Sequence, residues 1–293
     1  MHSIPIWRRL LYSFLIFALF MVGLEGSLAA LGLWAGRSSE TINTDGFHIV
    51  CIGDSVTAGF GVGPEAAWPT LLQHHLQGAN VTVVNRGRMG QQMRNLNTTH
   101  VTKPISDDPA LYLIMLGSND FLRWPANKPN PFLSGAELQE GLDEQTVWEP
   151  RLLRVMRWMR HIASATPPTP TLQPELLAMY REKLTRLKQR ADTQGSTVAL
   201  MSYVLPGTPP DSLNENQKIT LQNSLEAHQM GNAIVRQVAE ELNLPLVDLE
   251  HKIHSPVRWD NDWFIDHIHP TAPVQQQIAD TTAQWLRSTK RIP

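Results

Sequence analysis

The chain reads as one doubly wound α/β domain preceded by a separate apolar segment. Three observations predict this. Short uninterrupted apolar runs recur along the chain, segments of helical period alternate with them, and the first 36 residues hold a long stretch almost free of charge. Runs of four to eight apolar residues suit strands covered on both faces, and strands alternating with helices build a parallel sheet wrapped by helices.

The first element is the apolar segment itself, since Leu10 to Ala35 carries one charged residue, Glu25. At about 1.5 Å per residue such a helix spans the roughly 30 Å of a hydrocarbon core. Arg8 and Arg9 precede it, while Arg37 and Glu40 come after it. The positive-inside rule then leaves the amino terminus in the cytoplasm and directs the rest outside. A cleaved signal peptide competes, with Leu10 to Leu24 as its apolar core and Ser27-Leu28-Ala29 as its cleavage site. The apolar character resuming from Leu28 to Trp34 favours an uncleaved anchor. Residues 37–45 are polar and aperiodic, a linker. Strands are expected at Phe47–Ile52, Val81–Val84, Leu111–Leu116, Val198–Val204 and Leu244–Leu249. Helices are expected at Ala66–Leu76, Pro174–Gln194, Asn216–Leu242 and Ala272–Arg287. Between about 121 and 174 the rhythm breaks into an insert rich in proline, the kind of excursion that often shapes a binding site.

Composition narrows the function classes. The 293 residues carry 25 basic and 27 acidic side chains, a net charge of -2. That balance argues against a nucleic-acid binder, which relies on a strong basic field. Residues 1–36 hold Arg8, Arg9 and Glu25, a net +1, so the rest is mildly acidic. The single cysteine, Cys51, excludes an intramolecular disulfide framework and a cysteine-based zinc cluster. Placed in a strand, it reads as a buried inert thiol.

Four groups of residues could do chemistry. Gly53-Asp54-Ser55-Val56-Thr57-Ala58-Gly59 comes after the first strand, Asn85-Arg86-Gly87-Arg88-Met89-Gly90 after the second, and Gly117-Ser118-Asn119-Asp120 after the third. Asp266-His267-Ile268-His269-Pro270-Thr271 precedes the last helix. In a doubly wound fold the carboxyl ends of strands share one edge, so these groups can meet there. Ser55 alone reads equally well as a helix N-cap. Together, however, a hydroxyl, a glycine that allows close backbone approach, a carboxamide and a carboxylate–histidine pair form a full set for acyl transfer through a serine nucleophile. Gly87 and Gly90 compete as the backbone donor, and His267 competes with His269. Asp54 and Asp120 read as structural braces, and His74 and His75 have no ligand partner nearby in sequence.

These four groups, in this order, resemble the SGNH hydrolase superfamily, the GDSL-type esterases and lipases. The likeness runs from about Phe47 to the last helix. Ala67-Trp68-Pro69-Thr70-Leu71-Leu72 is similar to the segment after the nucleophile in lysophospholipase-like and thioesterase-like bacterial members. Valine stands at 56 where the family name has leucine, and Gln91 and Gln92 come after the second-block glycine where acidic and hydroxyl residues are frequent. The resemblance implies a flavodoxin-like three-layer sandwich with about five parallel strands. It implies Ser55 as nucleophile, His269 as base, Asp266 as its orienting carboxylate, and an oxyanion hole of Ser55 N–H, Gly90 N–H and the Asn119 amide. It implies no metal or organic cofactor.

The expected protein is therefore an exported, membrane-anchored serine esterase with its domain, residues 46–293, in the periplasm or outside the cell. Its substrates would be acyl or acetyl esters of lipids, lysophospholipids or O-acetylated glycans. An O-acyltransferase using the same acyl-enzyme and a non-catalytic binding module are the alternatives. Exposed aromatics such as Trp124 or Trp263 around the site would indicate a carbohydrate ester. Within the insert, Arg151, Arg154, Arg157 and Arg160 lie opposite Leu152, Val155, Met159 and Ile162, with Trp148 and Trp158 adding aromatic surface. The pattern over 149–163 is that of an amphipathic helix with water-facing arginines or, on a sharper reading, of an element resting on anionic lipid.

Overall fold

The computed structural model describes residues 20–21, 23–27, 46–105, 109–123, 169–171, 173–254 and 258–292. The chain divides into two compact units, residues 42–127 with 166–293 and residues 1–41 with 128–165. In the second, residues 20–21 and 23–27 are helical, and Ser27 Oγ donates to the Gly23 carbonyl at 2.9 Å. Among the described residues no helix is long and apolar enough to cross a membrane. Most of the apolar run 10–35, the linker and the arginine pattern of 149–163 lie outside the described residues, as do Trp124, Trp148 and Trp158.

The larger unit is built on five parallel strands. They are β1 (Phe47–Gly53), β2 (Val81–Gly87), β3 (Ala110–Met115), β6 (Thr197–Met201) and β7 (Leu246–Val247), in the order β2-β1-β3-β6-β7. The central strands explain the continuous apolar runs. All six residues of β3 are buried, as are residues 48–53 of β1. Each large side chain so buried stabilises the fold by about 1.5–3 kcal/mol relative to exposure. The edge strand β2 is half-buried toward its end, and two of its outward ladder groups are taken by one side chain. Gln73 accepts from Val83 N at 2.6 Å and donates to Val81 O at 3.2 Å, which blunts the edge.

Helices cover the sheet in two sets. From β1 the chain steps to β2 in one direction, then crosses to β3 and moves through β6 to β7 in the other. Because such crossovers share one hand, this reversal puts the connecting helices on opposite faces, and it makes the gap between β1 and β3 a topological switch point. Helix α2 (Trp68–His75) packs on β2 and on α8 (Ala272–Ser288). Helix α5 (Gln173–Thr193) packs on β6 and on α6 (Glu215–Glu241). Three one-turn helices occupy strand exits or crossovers: α1 (Ser55–Ala58), α3 (Thr98–Val101) and α4 (Ser118–Phe121). A fourth, α7 (Leu249–Lys252), comes after β7.

Several boundaries differ from the apolar pattern, each for a physical reason. Strand β2 continues to Gly87, so the second chemical block begins inside the strand. Strand β6 stops at Met201, because Asn232 of α6 takes both backbone groups of Tyr203, each at 2.8 Å. The last strand shrinks to Leu246–Val247, since Asp248, held by Arg236 and Ser202, already stands at the N-terminal boundary of α7. The helix expected from Ala66 is a 3-10 turn, Pro64–Ala66, with α2 after it. The insert leaves and returns at one point. β4 (Leu122–Arg123) and β5 (Thr169–Pro170) pair antiparallel, and Thr171 N donates to Phe121 O at 2.8 Å.

Candidate active site

The exit of β1 is shaped by Asp54. This residue, not Ser55, caps α1, its Oδ1 accepting from Val56 N at 3.0 Å. Ser55 is thus the first helical residue, with its N–H in the unsatisfied first turn. The other Asp54 oxygen accepts from Ser118 Oγ and from Tyr203 OH, both at 2.6 Å. A buried carboxylate with three donors is a rigid brace. It ties the Ser55 turn to the turn that carries Asn119.

Across the mouth, the loop before α8 supplies the partner. Ser55 Oγ lies 2.8 Å from His269 Nε2, and His269 Nδ1 lies 2.8 Å from Asp266 Oδ2. Asp266 Oδ1 accepts from the backbone N–H groups of Ile268 and His269, at 2.8 and 2.9 Å. Burial pushes the Asp266 carboxyl up, but its hydrogen bonds with His269 and the neighbouring imidazoles outweigh this and hold it well below the usual carboxylate range. Of the two histidines it is His269 that meets Ser55, while the backbone carbonyl of His267 accepts from Ser224 Oγ at 2.7 Å. Burial, the largest influence, lowers the His267 pKa.

The two glycines of the second block part company. Gly87 N–H donates to Asn85 Oδ1 at 2.8 Å, and a Cβ at Gly87 would stand 2.5 Å from Ala58 N. Gly87 is needed for close packing of β2 on α1, and its donor is spent. Gly90 adopts φ +67°, a left-handed turn, and among the described residues its N–H meets no acceptor. The block is tied to β1 by Arg88 N donating to Gly53 O at 3.0 Å. Asn119 Nδ2 donates to Gln91 O at 3.0 Å, while Gln92 Nε2 donates to Asn119 O at 3.1 Å. Asp120 is fully buried and accepts from Met93 N and Arg94 Nε; burial raises its pKa against those bonds.

Residues outside the motifs hold the site from behind. Gln275 of α8 is fully buried, accepts from Trp68 N at 2.9 Å and donates to Val56 O at 3.1 Å, locking α1 against α2 and α8. Phe60 lies on the His269 ring, centroids 4.3 Å apart. Only its place five residues after Ser55 could have pointed to it. Trp263, whose exposure at the site would have indicated a carbohydrate ester, is half-buried against the core. His75 pairs with Asp280 of α8 at 2.6 Å, and Cys51 is buried in β1, which pushes its thiol pKa up. Among the described residues no group of three or more His, Cys, Asp or Glu side chains could hold a metal ion.

A hydroxyl, an imidazole and a carboxylate in one hydrogen-bonded line, beside backbone and carboxamide donors at a sheet edge, have the geometry that nucleophilic catalysis by a serine requires. Comparison with known proteins gives the same class. The GDSL-like lipase/acylhydrolase family model matches residues 51–277, and the chain belongs to this family of serine carboxylic ester hydrolases. An acetylxylan esterase of Xylanibacter ruminicola is 24% identical over 269 residues, covering 89% of this chain and 47% of that one. The chain thus spans about half the length of this curated relative. A proposed arylesterase from Agrobacterium tumefaciens superposes with a TM-score of 0.50 at 14% identity, over 82% of this chain and 98% of that one. A lipolytic G-D-S-L protein from Veillonella parvula gives a TM-score of 0.48 at 16% identity, over 81% and 97%.

Proposed function

We propose that this chain is an exported serine esterase that cleaves acyl or acetyl esters through an acyl-enzyme on Ser55. The observation that carries the reading is the unbroken line from Ser55 Oγ through His269 to Asp266, at 2.8 Å for each step. As Ser55 Oγ bonds to the ester carbonyl carbon, His269 Nε2 takes the hydroxyl proton. Asp266, held ionised, fixes the tautomer and stabilises the imidazolium. Ser55 N–H, Gly90 N–H and Asn119 Nδ2–H receive the developing oxyanion. The imidazolium then gives its proton to the leaving alcohol as the carbon–oxygen bond breaks, and water resolves the acyl-enzyme by the same relay in reverse.

The substrate is an acyl or acetyl ester of a lipid, a lysophospholipid or an O-acetylated glycan. The name of the acetylxylan esterase relative supports the acetyl branch. Residues 1–36 act as the anchor or signal, 37–45 as linker and 46–293 as the hydrolase domain, with its insert at about 121–174. Arg8 and Arg9 ahead of the apolar run 10–35 support export, with the domain outside the cytoplasmic membrane.

The test is hydrolysis by the full-length chain of p-nitrophenyl acetate, p-nitrophenyl octanoate and acetylated xylan. Turnover of at least one, lost in Ser55→Ala, is the expected result. Release of acetate from xylan with no octanoate hydrolysis assigns the glycan branch, and the reverse assigns the lipid branch. Turnover that survives Ser55→Ala overturns the reading.

A further inference from the structure

We propose that Phe60 is a positioning residue for His269, holding the imidazole in line between Ser55 and Asp266 and stabilising its cation. The proposal rests on the esterase reading above and adds a residue to it. Its origin lies in the local sequence. Gly59, Gly61 and Gly63 alternate along Gly59-Phe60-Gly61-Val62-Gly63, and all three adopt positive φ, at +84°, +77° and +83°. A left-handed residue at every second position folds the loop back on itself, which residues with a Cβ resist. The turn is closed by Phe60 N donating to Ser55 O at 2.9 Å and Gly63 N donating to Gly59 O at 2.9 Å.

This path delivers the Phe60 ring to His269, with centroids 4.3 Å apart and planes inclined by 45°. Phe60 is nevertheless 41% exposed as a residue, so burial in the core does not explain its place. The imidazole is then held on two edges and one face: Nε2 on Ser55, Nδ1 on Asp266, and the ring on Phe60. Two hydrogen bonds alone leave rotation about the line joining them, and a ring on one face opposes it. When Nε2 takes the Ser55 proton, the imidazolium lies within the roughly 6 Å over which an aromatic ring attracts a cation. On the far side of the loop Ile265 is 43% exposed, and its Cδ1 fills the space that a Cβ at Gly61 would need. A side chain at 61 would have to displace that exposed methyl and adopt the left-handed φ of +77°, which residues with a Cβ disfavour.

The test compares Phe60→Leu, Phe60→Trp and the unaltered full-length chain in steady-state ester hydrolysis and in the rate of fluorophosphonate labelling. Phe60→Leu is expected to lower both kcat and the labelling rate roughly three- to tenfold, the size of a partly exposed cation–aromatic contact. KM stays within about twofold, melting temperature is little changed, and Phe60→Trp recovers most of both rates. An unaltered kcat in Phe60→Leu overturns the proposal. So does a loss confined to KM, which makes Phe60 a substrate wall, or a Trp variant as impaired as the Leu variant. Failure of the unaltered chain to label at Ser55 overturns the esterase reading, and this proposal falls with it.

Discussion

Asn119 is fixed through two of its own groups. Its amide donates to Gln91 O and its carbonyl accepts from Gln92 Nε2, so the turn after β3 and the turn after β2 hold one another. One amide hydrogen is anchored by this arrangement, and in the proposed mechanism the second meets the substrate oxyanion. Asn119→Ala should therefore lower kcat by about 10²–10³ with a small change in KM, read by steady-state ester hydrolysis. Asn119→Asp, which offers no donor when ionised, should be no better. Single residues of this kind were legible in the sequence because each stands in a short block of chemically matched neighbours. Phe60 and Gln275 were not, because their roles come from contacts between distant parts of the chain. Gln275 meets Trp68 across 207 positions.

At the scale of elements, the turn from β3 into α4 depends on the absence of a side chain. Gly117 has φ +137°, and a Cβ there would overlap Tyr180 OH and lie 2.9 Å from the Phe121 ring. Tyr180 in turn donates to Leu116 O at 2.6 Å, so α5 clamps the strand end that launches Asn119. Gly117→Ala should destabilise the fold by about 2–4 kcal/mol through overpacking and strain, measured by urea unfolding. Adding Tyr180→Phe should recover part of that loss, a non-additive coupling expected of touching residues. The long helices were read from the sequence to within about a residue, because their apolar faces repeat over many turns. Strand ends were read less well. Asn85 and Arg86 look like loop, yet they belong to an edge strand whose polar side chains bond neighbouring backbone, Asn85 to Thr57 O and Arg86 to the Val101 and Lys103 carbonyls. Tyr203 and Val204 look like strand, yet Asn232 captures the backbone first.

For the whole molecule, acid stability turns on a buried histidine remote from the chemistry in sequence. His228 of α6 packs edge-on against Phe121 and Tyr203, and burial, the largest influence, lowers its pKa to about 4. In the unfolded chain it takes a proton near pH 6.5, so the unfolded state binds more protons between about 6.5 and 4. Stability is complete above that window and falls as pH drops through it. Melting temperature should therefore decline between pH 7 and 4.5, and decline less in His228→Leu. The same global arrangement gathers blocks from positions 53–59, 85–90, 117–120 and 266–271 onto one edge of the sheet. Their order along the chain was readable; the hydrogen bonds that join them, such as Asp54 to Ser118 and Tyr203, depend on the fold. The central claim is that this edge activates Ser55 for covalent catalysis. Peptide mass spectrometry of the full-length chain after fluorophosphonate treatment tests it most directly. The account predicts one adduct on the peptide bearing Ser55, formed much more slowly in His269→Ala; an adduct at another residue, or equal labelling without His269, would contradict it.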